Sequence, residues 1–173
     1  MAEGWVRKGE GGRRMAGDPN TTVDALGQVG LFQGFDRDEL ERIVSRGLVI
    51  DFSAGAALFR EGDPGEAFYL VLEGSVRIIK TVINVGEEAM AVAESGDFFG
   101  EMALIDDMPR SATAEAREAC RPFVLKKADF LDLTYADPAL GCKLLWALCR
   151  TFSRRLRETT DRINALFSVS RAW

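Results

Sequence analysis

Along the chain the apolar positions change period twice. From Thr21 onward Val23, Leu26, Val29 and Leu31 recur at helical spacing. Asp36-Arg37-Asp38-Glu39 then sets an acidic cap and a glutamate three residues on, the spacing of a capping box, ahead of Leu40, Ile43 and Val44. Two short helices are expected there. Between Leu48 and Lys126 the texture turns to short β-rich runs at 48–53, 56–60, 67–73, 75–83, 88–94, 111–117 and 120–126. Ala54-Gly55, Gly62-Asp63-Pro64-Gly65, Gly74, Gly86 and Ser95-Gly96 divide them. Regular short strands with glycine turns predict a sandwich, roll or barrel.

Past Lys126 helical spacing returns at 128–136 and, beyond Asp137-Pro138, in a long segment reaching about Phe167, with Asp137 as its cap and Pro138 in its first turn. Leu145, Cys149, Phe152, Leu156, Thr159, Ile163 and Leu166 recur at alternating spacings of 4 and 3, a heptad stripe. Two explanations are open: the stripe packs on the protein's own β core, or it meets a second copy. Residues 1–20 hold five glycines, four basic and three acidic residues and scattered apolar ones, so they are expected to form a disordered tail ahead of one domain over 21–173. Met15 is an alternative start. Arg13-Arg14-Met15-Ala16 has the form of a basophilic kinase pseudosubstrate, a short pattern that also arises by accident.

Composition narrows the chemistry. The 173 residues suit one globular core, and the sequence has no histidine, which excludes Ser-His-Asp and Cys-His nucleophiles and His-ligated zinc or haem. A net charge of −5 argues against a surface devoted to nucleic acid. Cys120, Cys142 and Cys149 are too few for a four-thiolate cluster and suit a reducing compartment; Cys142 and Cys149 are expected to be small buried hydrophobes. Nothing approaches the roughly 18 apolar residues of a membrane span, nor a secretory signal. A soluble cytoplasmic protein without a catalytic nucleophile, metal or cofactor is expected, not an enzyme.

The densest stretch of chemistry is Gly96-Asp97-Phe98-Phe99-Gly100-Glu101-Met102-Ala103-Leu104-Ile105-Asp106-Asp107-Met108-Pro109-Arg110-Ser111-Ala112-Thr113-Ala114. Glu101 to Ile105 reads as one helical turn opened by a glycine, with free backbone N–H groups at its start and room for a ligand to approach Gly100. Arg110, folded back over that turn, would supply the charge a phosphate needs. The plain alternative is an ion pair of Arg110 with Asp106 or Asp107.

This stretch resembles the phosphate-binding cassette of the cyclic nucleotide-binding domain, the family of catabolite activators, kinase regulatory subunits and gated channels. The resemblance covers about residues 30–167, with Leu31-Phe32-Gln33-Gly34-Phe35 at the entry and Arg60-Glu61-Gly62-Asp63-Pro64-Gly65 and Leu72-Glu73-Gly74-Ser75-Val76 in the roll. It implies an α+β fold: an eight-stranded β roll of jelly-roll type over about 48–126, flanked by N-terminal helices and by C-terminal helices over about 127–167. It also implies that Glu101 accepts a hydrogen bond from the ribose 2′-hydroxyl and Arg110 pairs with the cyclic phosphate. Gly100, Met102 and Ala103 add backbone donors there, and Ser111 adds its side chain.

For the base, Ala89, Ala91 and Ala93 share one face of their strand, leaving room for a purine, and Val76 is a plausible companion. Arg154-Arg155-Leu156-Arg157-Glu158-Thr159-Thr160 resembles the catabolite activator segment whose adjacent Thr and Ser meet the adenine amino group, which implicates Thr159 and Thr160. In kinase-type domains Ala after the cassette arginine goes with cyclic AMP and Thr with cyclic GMP. Ser111 matches neither, but catabolite activators that bind cyclic AMP carry Ser, so cyclic AMP is expected ahead of cyclic GMP. The sequence ends six residues beyond Phe167, so no helix-turn-helix is expected. The expected whole is a stand-alone sensor that signals to an unknown downstream protein by movement of its last helix, with a possible homodimer through that helix. Alternatives are a nucleotide-free dimerisation domain and a cyclic dinucleotide sensor.

Overall fold

The computed structural model describes residues 12–15, 18–84 and 86–170. A first strand, β1 (Gly12–Met15), leads into α1 (Pro19–Gln28), a 3-10 turn (Gly30–Phe32) and α2 (Arg37–Val44). Asp18 caps α1 by accepting from the Asn20 N–H, and the capping box of α2 is closed in both directions between Asp36 and Glu39. The strands β2 (Leu48–Phe52), β3 (Ala57–Phe59), β4 (Ala67–Glu73), β5 (Val76–Val82), β6 (Gly86–Ala93) and β7 (Phe98–Phe99) follow. A single turn of helix, α3 (Met102–Ile105), precedes β8 (Thr113–Ala116) and β9 (Arg121–Lys126), and the chain then runs into α4 (Lys127–Ala136) and α5 (Pro138–Ser170). Two antiparallel sheets, ordered β1-β2-β9-β4-β7 and β3-β8-β5-β6, close the roll. The expected α+β roll between entry helices and a long last helix is the fold observed.

Each face of β4 serves a different core. Phe68 and Leu70 join Val23, Leu26, Ile43 and Leu140 under the helices, while Tyr69 and Val71 join Ile50, Val76, Phe99 and Val124 inside the roll. A strand covered on both faces reads as an unbroken apolar run, as β4 does. Phe98 and Phe99 divide in the same way: Phe98 packs 5.6 Å from Phe68, and Phe99 stacks 5.3 Å from Tyr69. Two residues are too few to show an alternating pattern, so β7 escaped the strand expectation.

Two expectations need correction here. Gly12–Met15 was placed in a disordered tail but pairs antiparallel with β2, Gly12 opposite Phe52 and Met15 opposite Val49. Backbone pairing to a sheet edge needs no apolar composition, so composition could not foresee it. Residues 1–11 and 16–17 lie outside the described residues, and with them Ala16 of the pseudosubstrate-like run. The second correction concerns the cysteines. Cys142 and Cys149 are exposed, and only Cys120 is buried.

The physical reason lies in α5. Leu140, Leu144, Ala147, Leu148 and Thr151 form its buried face. The heptad stripe falls on another face, where Leu145, Cys149, Leu156, Thr159 and Ile163 are exposed and Phe152 is half-buried, while the Leu166 side chain lies outside the described residues. Packing on the protein's own core therefore accounts for Phe152, which lies against the helical core, but not for the exposed members of the stripe. Among the described residues no helix is long and apolar enough to cross a membrane.

A candidate anion and ribose site

The site is assembled where β7 gives way to α3. Gly100 has φ +73, and a Cβ there would stand 2.7 Å from Arg110 Nη1 and 3.2 Å from the Ala67 carbonyl oxygen. The missing side chain is what lets a guanidinium lie against the backbone. Glu101 follows as the cap residue of α3 and is only 5% exposed, whereas Met102 is exposed; Ala103 lies in α3 with its side chain outside the described residues.

Arg110 returns over this turn. Its backbone is clamped to the β3–β4 loop, donating to the Asp63 carbonyl at 2.8 Å and accepting from the Gly62 N–H at 2.9 Å. Nη1 donates to the Gly100 carbonyl at 3.2 Å and Nη2 to the Ala67 carbonyl at 2.7 Å. The guanidinium carbon sits 4.0 Å from the Phe59 ring centroid and 5.7 Å from that of Tyr69, in contact with their faces. Neither Asp106 nor Asp107 neutralises it: the Asp106 carbonyl and the Asp107 carboxylate accept instead from Lys127 Nζ, at 2.6 and 2.9 Å. Burial lowers the Arg110 pKa, with Tyr69, Asp63, Glu101 and Glu66 opposing that shift, yet a guanidinium stays charged at any working pH. Burial likewise pushes the Tyr69 hydroxyl up to about 12.

One donor of Arg110 is left over. The residue is 7% exposed, and its Nε–H has no hydrogen-bond partner. A buried donor left unsatisfied on a charged group is costly, and an anion set against Nε would relieve the cost. Arg110 borders a cleft of about 850 Å³ whose walls include Glu101, Ala91, Ala93, Ser111 and Thr159.

Glu101 has a partner that sequence reasoning missed. Arg155 of α5 donates from Nη1 to Glu101 Oε1 and from Nη2 to the Phe98 carbonyl at 2.8 Å, with its guanidinium 4.8 Å from the Phe98 ring centroid. The only trace in the sequence is that Arg155 belongs to the segment singled out for Thr159 and Thr160. Arg154, Glu158 and Arg162, on successive turns of α5, also line the cleft.

Two of the expected base contacts stand elsewhere. Val76 is wholly buried in the roll core, paired with Ala93 and Ala116, and does not reach the cleft. Thr160 is exposed but not part of the cleft wall, because it follows Thr159 around the helix by 100°; its hydroxyl donates to the Leu156 carbonyl. Thr159 does line the cleft, with its hydroxyl donating to the Arg155 carbonyl. In β6, Ile78 pairs with Ala91 and Ile79 with Ala89, leaving Met90 as an extra residue. That bulge interrupts the alternation, so Ala91 and Ala93 line the cleft without Ala89.

Comparison with known proteins fits this geometry. The family model for the cyclic nucleotide-binding domain matches residues 49–137. The cyclic AMP receptor protein of Thermus thermophilus is 34% identical over 136 residues, which is 79% of this chain and 61% of that protein, so the chain spans under two thirds of its relative. A solved cyclic nucleotide-binding domain from Methylobacillus flagellatus superposes with a TM-score of 0.82 at 30% identity, covering 94% of both chains. The regulatory domain of Toxoplasma gondii protein kinase A, solved with cyclic AMP, has a TM-score of 0.68 at 27% identity over 79% of this chain and 50% of that one. With the family model matching more than half of its length, the roll included, the chain belongs to the cyclic nucleotide-binding domain family.

Proposed function

We propose that this domain binds a purine 3′,5′-cyclic mononucleotide, cyclic AMP ahead of cyclic GMP, and passes occupancy through α5 to a protein partner. The observation that carries the reading is Arg110, buried and charged with its Nε–H unpaired beside the cleft. A cyclic phosphodiester has one negative charge, which one guanidinium matches. Its two exocyclic oxygens would take Arg110 Nε, the Ser111 hydroxyl and the backbone N–H groups at the start of α3, from Gly100, Met102 and Ala103, which a first helical turn leaves without intrahelical partners. Glu101 engages Arg155 through Oε1, so its other oxygen would accept from the ribose 2′-hydroxyl. Deoxyribose would leave that carboxylate oxygen unsatisfied.

The purine would extend toward the small Ala91 and Ala93 and the Thr159 hydroxyl on α5. Supporting cyclic AMP are Ser111 in the cassette and the relatives named for cyclic AMP. Because Arg155 ties α5 to Glu101, ribose binding at Glu101 would bias the position of α5. The exposed heptad stripe of α5 is suited to a second copy of the same helix, so the sensor would act as a homodimer. Catalysis forms no part of this reading; among the described residues no group of three or more Cys, Asp or Glu side chains is placed to hold a metal ion.

Isothermal titration with cyclic AMP, cyclic GMP and cyclic di-GMP tests the proposal. Heat with a cyclic mononucleotide, lost in Arg110→Ala, is the expected result. Binding of cyclic di-GMP alone, or no heat with any of the three at high micromolar concentration, would overturn it.

A further inference from the structure

Three arginines of α5 border the cleft, and two of them are engaged. Arg155 is held by Glu101 and the Phe98 carbonyl, and Arg154 lies 3.8 Å from the Glu158 carboxylate. Arg162, one turn beyond Glu158, has no hydrogen bond or ion pair among the described residues. A cyclic phosphodiester with its single charge on Arg110 would leave Arg162 without a phosphate to meet.

Thr159 stands three residues before Arg162, so the two share one face of α5, and both line the cleft. The Thr159 hydroxyl donates its only proton to the Arg155 carbonyl at 2.8 Å, which leaves its oxygen able only to accept. A guanidinium can only donate. The α5 wall of the cleft therefore offers one acceptor beside one donor. A rise of about 1.5 Å per residue places Thr159 about 6 Å and Arg162 about 10 Å beyond Arg155 along the helix axis. Side chains on a helix lean toward its N-terminus, which turns the Arg162 fork back toward Thr159.

Resting on the cyclic mononucleotide reading above, we infer that Arg162 determines the choice of purine, donating to N1 of adenine while Thr159 accepts from the 6-amino group. With ribose and phosphate fixed at Glu101 and Arg110, a purine tethered through N9 extends its C6–N1 edge furthest from the cassette, toward α5. Ala91 and Ala93 leave the ring room to reach that wall. Adenine presents a donor at C6 and an acceptor at N1, the complement of Thr159 and Arg162. Guanine reverses both: its O6 accepts where Thr159 can only accept, and its N1–H donates where Arg162 can only donate. A site built for one pattern rejects the other because the mismatched polar groups are left unpaired.

Isothermal titration of the wild type and Arg162→Met with cyclic AMP, cyclic GMP and 1-deaza-cyclic AMP, in which C–H replaces N1, tests the inference. Arg162 is exposed, so its substitution leaves the fold intact. The expected result is a cyclic AMP affinity about tenfold lower in the variant, the loss of one charge-assisted hydrogen bond. The 1-deaza analogue should bind the wild type as weakly as cyclic AMP binds the variant and lose nothing further there, while cyclic GMP affinity does not fall. Unchanged cyclic AMP affinity in Arg162→Met overturns the inference, as does an equal fall for all three ligands, the mark of a general charge effect. Either result leaves nucleotide binding itself standing. A wild type that binds neither cyclic AMP nor cyclic GMP overturns the underlying reading as well.

Discussion

Arg155 and Glu101, 54 residues apart in sequence, form an ion pair that fastens the middle of α5 to the turn opening α3. The same guanidinium holds the Phe98 carbonyl and lies on the Phe98 ring, so one side chain joins the helix to strand, turn and core at once. Glu101 is buried, and Arg155 is the α5 residue whose guanidinium pairs with it.

Arg155→Ala is therefore expected to weaken cyclic AMP binding by about tenfold, since a hydrogen bond to a charged group contributes about 1.5–3 kcal/mol. Arg155→Lys should not restore it, because an ammonium lacks the planar fork that spans Glu101 and the Phe98 carbonyl together. Titration calorimetry on both variants checks this, and wild-type affinity in either would show the pair to be incidental.

Replacing Arg110 separates ligand from stability. In Arg110→Met the orphaned Nε–H disappears and contact with Phe59 is largely kept, but the Gly100 and Ala67 carbonyls lose their donors, so the ligand-free melting temperature should fall by a few degrees while the fold persists. The rise in Tm caused by saturating cyclic AMP in the wild type should vanish. A thermal shift that persists in the variant would place the anion elsewhere.

Gly100→Ala strains the backbone at φ +73 and drives a methyl group to 2.7 Å from Arg110 Nη1. The expected cost is about 1–3 kcal/mol in chemical denaturation. Affinity should fall with it because Arg110 must shift. Gly96, also at positive φ but with open space around its missing Cβ, serves as the comparison: Gly96→Ala should cost stability without the loss of affinity.

Lys127 links the cassette to the C-terminal helices. Its side chain donates to Asp106 and Asp107, and its backbone N–H donates to the Glu66 carbonyl at 2.8 Å, one residue before the carbonyl that Arg110 uses. Lys127→Met should leave cyclic AMP affinity within about threefold, the loss of two contacts outside the ligand's reach, and abolish the ligand-dependent change in amide exchange across α4 and α5. An unchanged exchange response would route the coupling through Arg155 alone.

Thiol accessibility divides the cysteines. Burial raises the Cys120 pKa to about 11, with Asp51 and Glu118 adding to the shift, so at pH 8 only about one thiol in a thousand is ionised there. An aromatic disulfide reagent at pH 8 should titrate two thiols rapidly in the reduced native protein, Cys142 and Cys149, and the third only on unfolding. Rapid reaction of all three at pH 8 would contradict its burial.

The helices, the strand runs and the Asp36–Glu39 capping box were legible because each depends on residues close in sequence: caps, periodicity and glycine turns act within a few positions. The cassette was legible for the same reason, as Gly100, Glu101 and Arg110 lie within one short stretch. β1 was not, because a backbone pairing to the edge of β2 leaves no mark on side-chain composition. Val76 illustrates the limit of strand alternation: pattern alone says that a position faces inward, not whether it meets core or cleft.

What the sequence by itself determined, then, is the roll, its flanking helices and the presence of a glycine, a carboxylate and an arginine in the order in which the family's cassette has them. Only the tertiary structure decided that Arg110 spends two of its nitrogens on the Gly100 and Ala67 carbonyls and keeps Nε unpaired. It alone also joined Arg155 to Glu101 and left Leu145, Cys149, Leu156 and Ile163 of the heptad stripe exposed while Phe152 packs on the core. Burial and pairing are properties of surfaces brought together from distant parts of the chain, and no local pattern specifies which surfaces meet.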